Sequence, residues 1–171
     1  MSEYSINISN GKVMGDSTFF RLANEALSKE SKRLCDFTDS LDKDPIQKKE
    51  KIAEYKCAKY RYAAVARINN ILYHGNRVYL KGAIHIDIED VIKNNNKLFN
   101  LCNNATDDEK IDFKLYYGTS TIAEELLTEI QKKLKNATDW EKVELEERIG
   151  GLRFAKECLD EAWQKRGEVI Q

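Results

Sequence analysis

Apolar side chains return at helical spacing through most of this chain, and the interruptions of that rhythm divide it into segments. Phe19, Phe20, Leu22, Ala23, Ala26, Leu27 and Leu34 fall on one helical face, with Asp16 or Ser17 placed to cap it. This predicts a first helix to about Phe37, followed by a polar, acidic connection over residues 36–44. Asp44-Pro45-Ile46-Gln47 is a second helix start. Aspartate accepts from free N–H groups, proline suits the first helical position, and glutamine three residues past the cap can reach back. The predicted helix runs unbroken from 45 to about Tyr73, where His74-Gly75-Asn76 stops it. Tyr55, Ala58, Tyr62, Val65, Ile68 and Leu72 share one flank of it, and Cys57, Ala64 and Ile71 an adjoining one. So wide an apolar surface suits a central helix touching two neighbours.

Two stretches change period. Tyr4, Ile6 and Ile8 alternate with polar residues ahead of Asn10-Gly11, which predicts a small N-terminal hairpin. Val78, Leu80, Ile84 and Ile86 keep one parity across Gly82, as two strands or one bent strand would. Asp87 then caps a helix carrying Val91, Ile92, Leu98, Phe99, Leu101 and Cys102.

The last third of the chain repeats itself. Residues 104–135 laid on 136–167 without a gap agree at 12 of 32 positions, six of them in the opening Asn-Ala-Thr-Asp-x-Glu-Lys. Shared helix caps explain the Thr and Glu matches. They do not explain Gly118/Gly150, Ala123/Ala155 or Leu127/Leu159, so an internal duplication is the better reading. Thr106-x-x-Glu109 and Thr138-x-x-Glu141 are capping boxes, and the two copies are expected to form a helical hairpin turning at 136–138. Thr121-x-x-Glu124 is a third such box, which leaves open a break after Gly118. Gly150-Gly151 allows either a kink or a close helix contact.

Composition narrows the class. A chain of 171 residues with 33% charged side chains, one proline and eight glycines fits one helix-rich domain spanning 1–171, built of a first part, 1–104, and the duplicated segment, 105–171. The fold class expected is mainly α (α+β): a helical bundle with a small antiparallel β element and the C-terminal hairpin. Neither a signal pattern nor an apolar run of membrane-spanning length occurs, which predicts a cytoplasmic protein with no membrane partner. The scattered Cys35, Cys57, Cys102 and Cys158 read as free thiols.

Charge supplies the candidate site. Net charge is −1, but residues 45–81 carry nine Lys or Arg against two Glu, and residues 85–130 carry ten acids against four lysines. On the helix after the proline, Lys49, Lys56, Tyr60, Arg67, Asn70 and His74 fall on one polar strip with Lys59 at its edge, and Arg77 and Lys81 extend the charge. Cations interleaved with an aromatic ring and amides suit phosphate neutralisation with base contact, or an acidic protein partner. A merely solvated face has the same composition. Tyr55, Tyr60, Tyr62, Tyr73, Tyr79, Tyr116, Tyr117, Trp140 and Trp163 could anchor a protein interface or line the edge of the core.

Other chemistry has thinner support. His85-Ile86-Asp87 offers two metal ligands where three or four are needed, so no metal or cofactor is expected. Gly118-Thr119-Ser120-Thr121 could present N–H groups to an anion but lacks phosphate-loop spacing. No nucleophile or metalloprotease motif occurs, so no catalytic residue is assigned. The expected function is non-catalytic protein binding, as an assembly or adaptor subunit or an inhibitor of another macromolecular complex. The Lys-to-Arg ratio of 20 to 8 and the frequent asparagine suggest an AT-rich source, such as a phage or mobile element directed against host defence. Nucleic-acid binding through residues 48–81 is the alternative, and an enzyme without a recognisable motif is the third.

Overall fold

The computed structural model describes residues 8–9, 12–13, 17–74, 77–80, 84–87 and 107–170, with side chains over 17–73, 112–113 and 115–167. Five helices make up almost all of it: α1 (Thr18–Asp42), α2 (Pro45–Glu50), α3 (Ile52–His74), α4 (Asp107–Leu134) and α5 (Asp139–Ile170).

Ser17 is the cap of α1, its hydroxyl accepting from the Phe20 N–H at 3.1 Å. The helix does not stop near Phe37. Leu34, Thr38 and Leu41 are all buried at helical spacing, so the segment expected as an acidic connection is two further turns of α1. The Thr38 hydroxyl donates to the Cys35 carbonyl at 3.0 Å, which lets a polar side chain sit in that apolar row. The turn into α2 is only Lys43 and Asp44, and Asp44 caps α2 by accepting from the Gln47 N–H.

Four long helices form an up-down-up-down bundle. Phe20 meets Tyr73 at the start of α1, and Asp42 meets Tyr55 at its end, so α1 and α3 are antiparallel. Tyr116 meets Trp163 and Glu124 meets Lys156, so α4 and α5 form the helical hairpin expected of the C-terminal segment. Both open at equivalent residues of the 32-residue repeat, Asp107 and Asp139. The capping box at Thr138 does not form, however. Asp139 takes a φ of 51°, and the chain enters α5 through a left-handed residue. No break follows Gly118, because α4 is continuous through it and the Thr121 hydroxyl bonds back to the Tyr117 carbonyl at 2.7 Å. The Gly118–Thr121 N–H groups thereby belong to a helix interior and present no anion loop.

The core lies where α1, α3, α4 and α5 converge on Phe19, Leu27, Val65, Ile68, Ile71, Leu72, Ile122, Leu152 and Leu159. Helix α3 packs on both α1 and α5, the central position that its two apolar flanks require. The contact with α5 is close because Gly151 lies against Ala64 and the Arg61 backbone. The glycine pair thus serves helix approach, and α5 continues through it without a break.

Outside the helices, backbone pairing joins Ile8–Ser9 to Lys12–Val13 and Arg77–Leu80 to Ile84–Asp87. Neither pair is a layer of the bundle, so the small antiparallel β element expected as part of the architecture is not seen as such. Two-stranded pairs this short bury too little to stand as an independent layer. The helix expected after Asp87, with its Cys102, lies outside the described residues.

Among the described thiols, Cys158 is buried, while Cys35 and Cys57 are partly open, and all three are free. Burial pushes the Cys158 thiol up to about 11. It should therefore resist iodoacetamide in the native protein near neutral pH and react once urea unfolds the chain. Peptide mass mapping before and after denaturant reads this directly, and native labelling as fast as that of Cys35 would contradict it.

Candidate functional site

The polar strip expected along one unbroken helix is divided by the fold. At Lys51 the backbone leaves helical geometry (φ −108°, ψ 29°), so α2 ends there and α3 begins at Ile52. Asp42 at the end of α1 holds this corner. It accepts from Lys48 Nζ at 2.6 Å and from the Tyr55 hydroxyl at 2.9 Å, and both hydrogen bonds hold its carboxyl below the usual carboxylate range. Lys48 also lies 4.3 Å from the Tyr55 ring centroid, and Lys59 5.5 Å from it. Lys59 thus belongs to the α1–α2 corner. Lys49 is exposed on α2, cut off from the strip by the bend.

Lys56 and Tyr60 look towards α5. Helices α3 and α5 run parallel, as the Lys56–Trp140, Tyr60–Arg148 and Arg61–Phe154 contacts show by advancing together. Lys56 Nζ sits 4.5 Å from the Trp140 ring centroid. The Arg148 guanidinium carbon lies 5.8 Å from the Tyr60 ring centroid, and its Nε and Nη2 both donate to Glu144 Oε1, at 3.0 and 2.8 Å. Arg67 follows two turns beyond Tyr60 and is half-buried. Burial and the positive charge of Arg148 hold its guanidinium below the usual arginine value, against the pull of Glu129. Asn70 is exposed one turn further on. The side chains of His74, Arg77 and Lys81 lie outside the described residues, as do those of His85 and Asp87.

Sequence reasoning missed the α5 half of this face. Glu144 and Arg148 were legible as a helical i,i+4 pair, but nothing in one sequence could say that they lie against Tyr60. Arg61 was missed as well. It is wedged beside Gly150, over the Phe154 ring, with its Nε 4.0 Å from Glu30. Hydrogen bonds from Arg33, then the charges of Arg33 and Arg61, hold Glu30 below its usual value against the effect of burial.

The aromatic residues divide too. Tyr116, Tyr117 and Trp163 pack with Phe19 and Phe113 in one interior cluster, with Tyr116 stacked on Trp163 at 4.7 Å and 5°. The Tyr116 hydroxyl donates to Asp160 at 2.6 Å, and burial with this bond raises its pKa well above the usual tyrosine value. These rings are structural. Among the described residues, the exposed ones are Tyr62, Tyr73 and Trp140. Trp140 is 47% exposed, and Ile46 and Ile52 are 76% and 40% exposed at the same end of the bundle, where α2, α3 and α5 begin.

No group of three or more His, Cys, Asp or Glu that could hold a metal ion occurs among the described residues, and none of their helices is long and apolar enough to cross a membrane. No protein-family model, curated protein or solved structure matches the chain.

Proposed function

We propose that the chain is a non-catalytic binding module that docks a protein partner on the end of the bundle formed by α2 and the starts of α3 and α5. The observation that carries this reading is Trp140, an exposed indole held under the Lys56 ammonium on the end of the bundle where Ile46 and Ile52 are also exposed. Tryptophan is the side chain most enriched among binding hot spots, because one ring displaces much water at a small cost in rotamer freedom. Lys56 lowers that cost further by holding the ring before a partner arrives. Such a module acts as an assembly or adaptor subunit, or as an inhibitor of a larger complex.

Affinity capture from nuclease-treated lysate of the source cell tests the reading, comparing the native chain with Trp140→Ser and with Ile46→Ser/Ile52→Ser. A hot spot of about 2 kcal/mol corresponds to about thirtyfold weaker capture. The same partner should be lost from both variants while far-UV circular dichroism stays unchanged. The exposed Lys49 and Lys59 favour a second reading, contact with nucleic-acid phosphates. Capture that disappears with nuclease and follows Lys49→Gln and Lys59→Gln instead of Trp140→Ser would replace the first reading with this one.

A further inference from the structure

We infer that Asp139 is a positioning residue for the docking end: its left-handed backbone starts α5 early enough to seat Trp140 on Lys56. The inference rests on the docking reading above and adds what holds that face in shape.

Two observations single out this place. The repeated heptapeptide matches at six of seven positions, and the one that differs is Asp108 in the first copy and Trp140 in the second. A helix start of this sequence therefore needs no indole, and burial does not account for one that is 47% exposed. The residue before it, Asp139, is the only non-glycine with a positive φ among the described residues, at 51°. A left-handed L-residue brings its Cβ close to the following carbonyl oxygen, a cost that aspartate bears better than most. The exposed carboxylate makes no hydrogen bond or ion pair among the described residues, so no bond of its own selects the conformation.

The neighbouring helices supply the reason. Helix α4 ends at Leu134 and α5 starts at Asp139, so four residues reverse the chain. The Asn136 and Ala137 N–H groups donate back to the Lys133 and Leu134 carbonyls at 3.3 and 3.2 Å, so the chain is still coiled on the end of α4 as far as Ala137. The first helical bond of α5 follows at once, from the Lys142 N–H to the Thr138 carbonyl at 3.3 Å, and it encloses Asp139, Trp140 and Glu141. One left-handed residue redirects the chain between the two helices without using more length. An ordinary cap, with extended backbone at Thr138 and its hydroxyl on the Glu141 N–H, enters at another angle and needs a longer turn. That length would come from the less anchored helix end. Leu134 packs against the core at the last position of α4, whereas residues 139–142 of α5 are all exposed. Unwinding the first turn of α5 would carry Trp140 away from Lys56, whose Nζ lies 4.5 Å from the ring centroid.

The test is a series at position 139 in the full chain, with Trp140→Ser as the zero. The readouts are the Lys56 Hε resonances, which the indole shields when it lies beneath them, and capture of the partner from nuclease-treated lysate of the source cell. Asp139→Gly and Asp139→Asn accept the left-handed region and should keep both. Asp139→Val, whose β-branch opposes a positive φ, should move Lys56 Hε most of the way to its Trp140→Ser position and weaken capture about tenfold, the worth of the left-handed penalty. Asp139→Ala should lie between and carries the test if the valine variant fails to fold, which thermal midpoints show. Lys56 Hε unchanged from glycine to valine overturns the inference, because the first turn of α5 would then stand without the left-handed residue. An equal loss in Asp139→Asn and Asp139→Val overturns it as well, because the carboxylate and not the backbone would be responsible. Capture that survives Trp140→Ser removes the docking reading itself, and the Lys56 Hε series, which needs no partner, still decides what Asp139 does.

Discussion

Replacing Asp112 by alanine should lower the unfolding free energy by about 3–5 kcal/mol, the range for removing one partner of a buried ion pair. Asp112, on α4, is 4% exposed. One of its oxygens accepts from the Ser17 hydroxyl, and the other from Arg166 Nε on α5. Ser17 in turn caps α1 through the Phe20 N–H, and the Arg166 guanidinium lies 5.0 Å from the Trp163 ring centroid. Three helices thus meet at one carboxylate, beside the Phe19–Tyr116–Trp163 ring cluster. Alanine would leave the Arg166 charge and the Ser17 hydroxyl without their partner in a site that excludes water. Against a typical total of about 5–15 kcal/mol, that loss is a large share of the fold's stability. Asp112→Leu/Arg166→Met removes both charges together and should recover most of it. Urea unfolding followed by circular dichroism, with the slope checked for constancy, measures both variants. A loss under about 1 kcal/mol in Asp112→Ala, at the level of an exposed pair, would mean that the network does not hold the three helices together.

The second large effect is one of sign. Glycine to alanine inside a helix ordinarily stabilises by about 1 kcal/mol. At Gly150 the added methyl meets only the flexible end of Arg61, with Nη1 at 3.3 Å, and at Gly167 it meets nothing within 4 Å. Gly167→Ala should therefore be stabilising, and Gly150→Ala stabilising or neutral as Arg61 yields. At Gly151 the same methyl would fall 2.8 Å from Ala64 Cβ and 2.9 Å from the Arg61 carbonyl oxygen. Neither can move without parting α3 from α5. Gly151→Ala should then cost about 1–3 kcal/mol, the usual range for overpacking, and Gly151→Val more. Thermal midpoints of the three alanine variants provide the comparison. A Gly151→Ala protein as stable as Gly167→Ala would show that the two helices do not approach as closely as described.

Asp112 and Gly151 also show where reading the sequence stops. Asp112 sits at a helical position next to apolar Ile111 and Phe113, and in the sequence it is one more acid in an acidic stretch. Only the arrival of Ser17 from 95 residues away and of Arg166 from 54 makes it a buried junction. Gly150-Gly151 was legible as a kink or a close contact, and the choice needed the identity of the opposing residue, Ala64. The end of α1 was misread for a similar reason. The acids at 36, 39, 42 and 44 suggest a loop, yet they lie on exposed positions while Thr38 and Leu41 continue the buried row of Leu34. The strip on α3 was legible as a set of cations, but its division between the Asp42 corner and the α5 seam was not.

Local rules written in adjacent residues were enough for the helices themselves: the caps at Ser17 and Asp44, the two apolar flanks of α3, and a C-terminal pair of helices starting 32 residues apart. Those features follow from spacing and from hydrogen-bonding groups within one turn, which a single sequence contains in full. The bend at Lys51, the left-handed Asp139, the burial of Asp112 and the seating of Arg148 over the Tyr60 ring belong to the tertiary structure. Each depends on groups brought together from distant parts of the chain, and whether a charge is solvated or paired is decided only by what packs beside it.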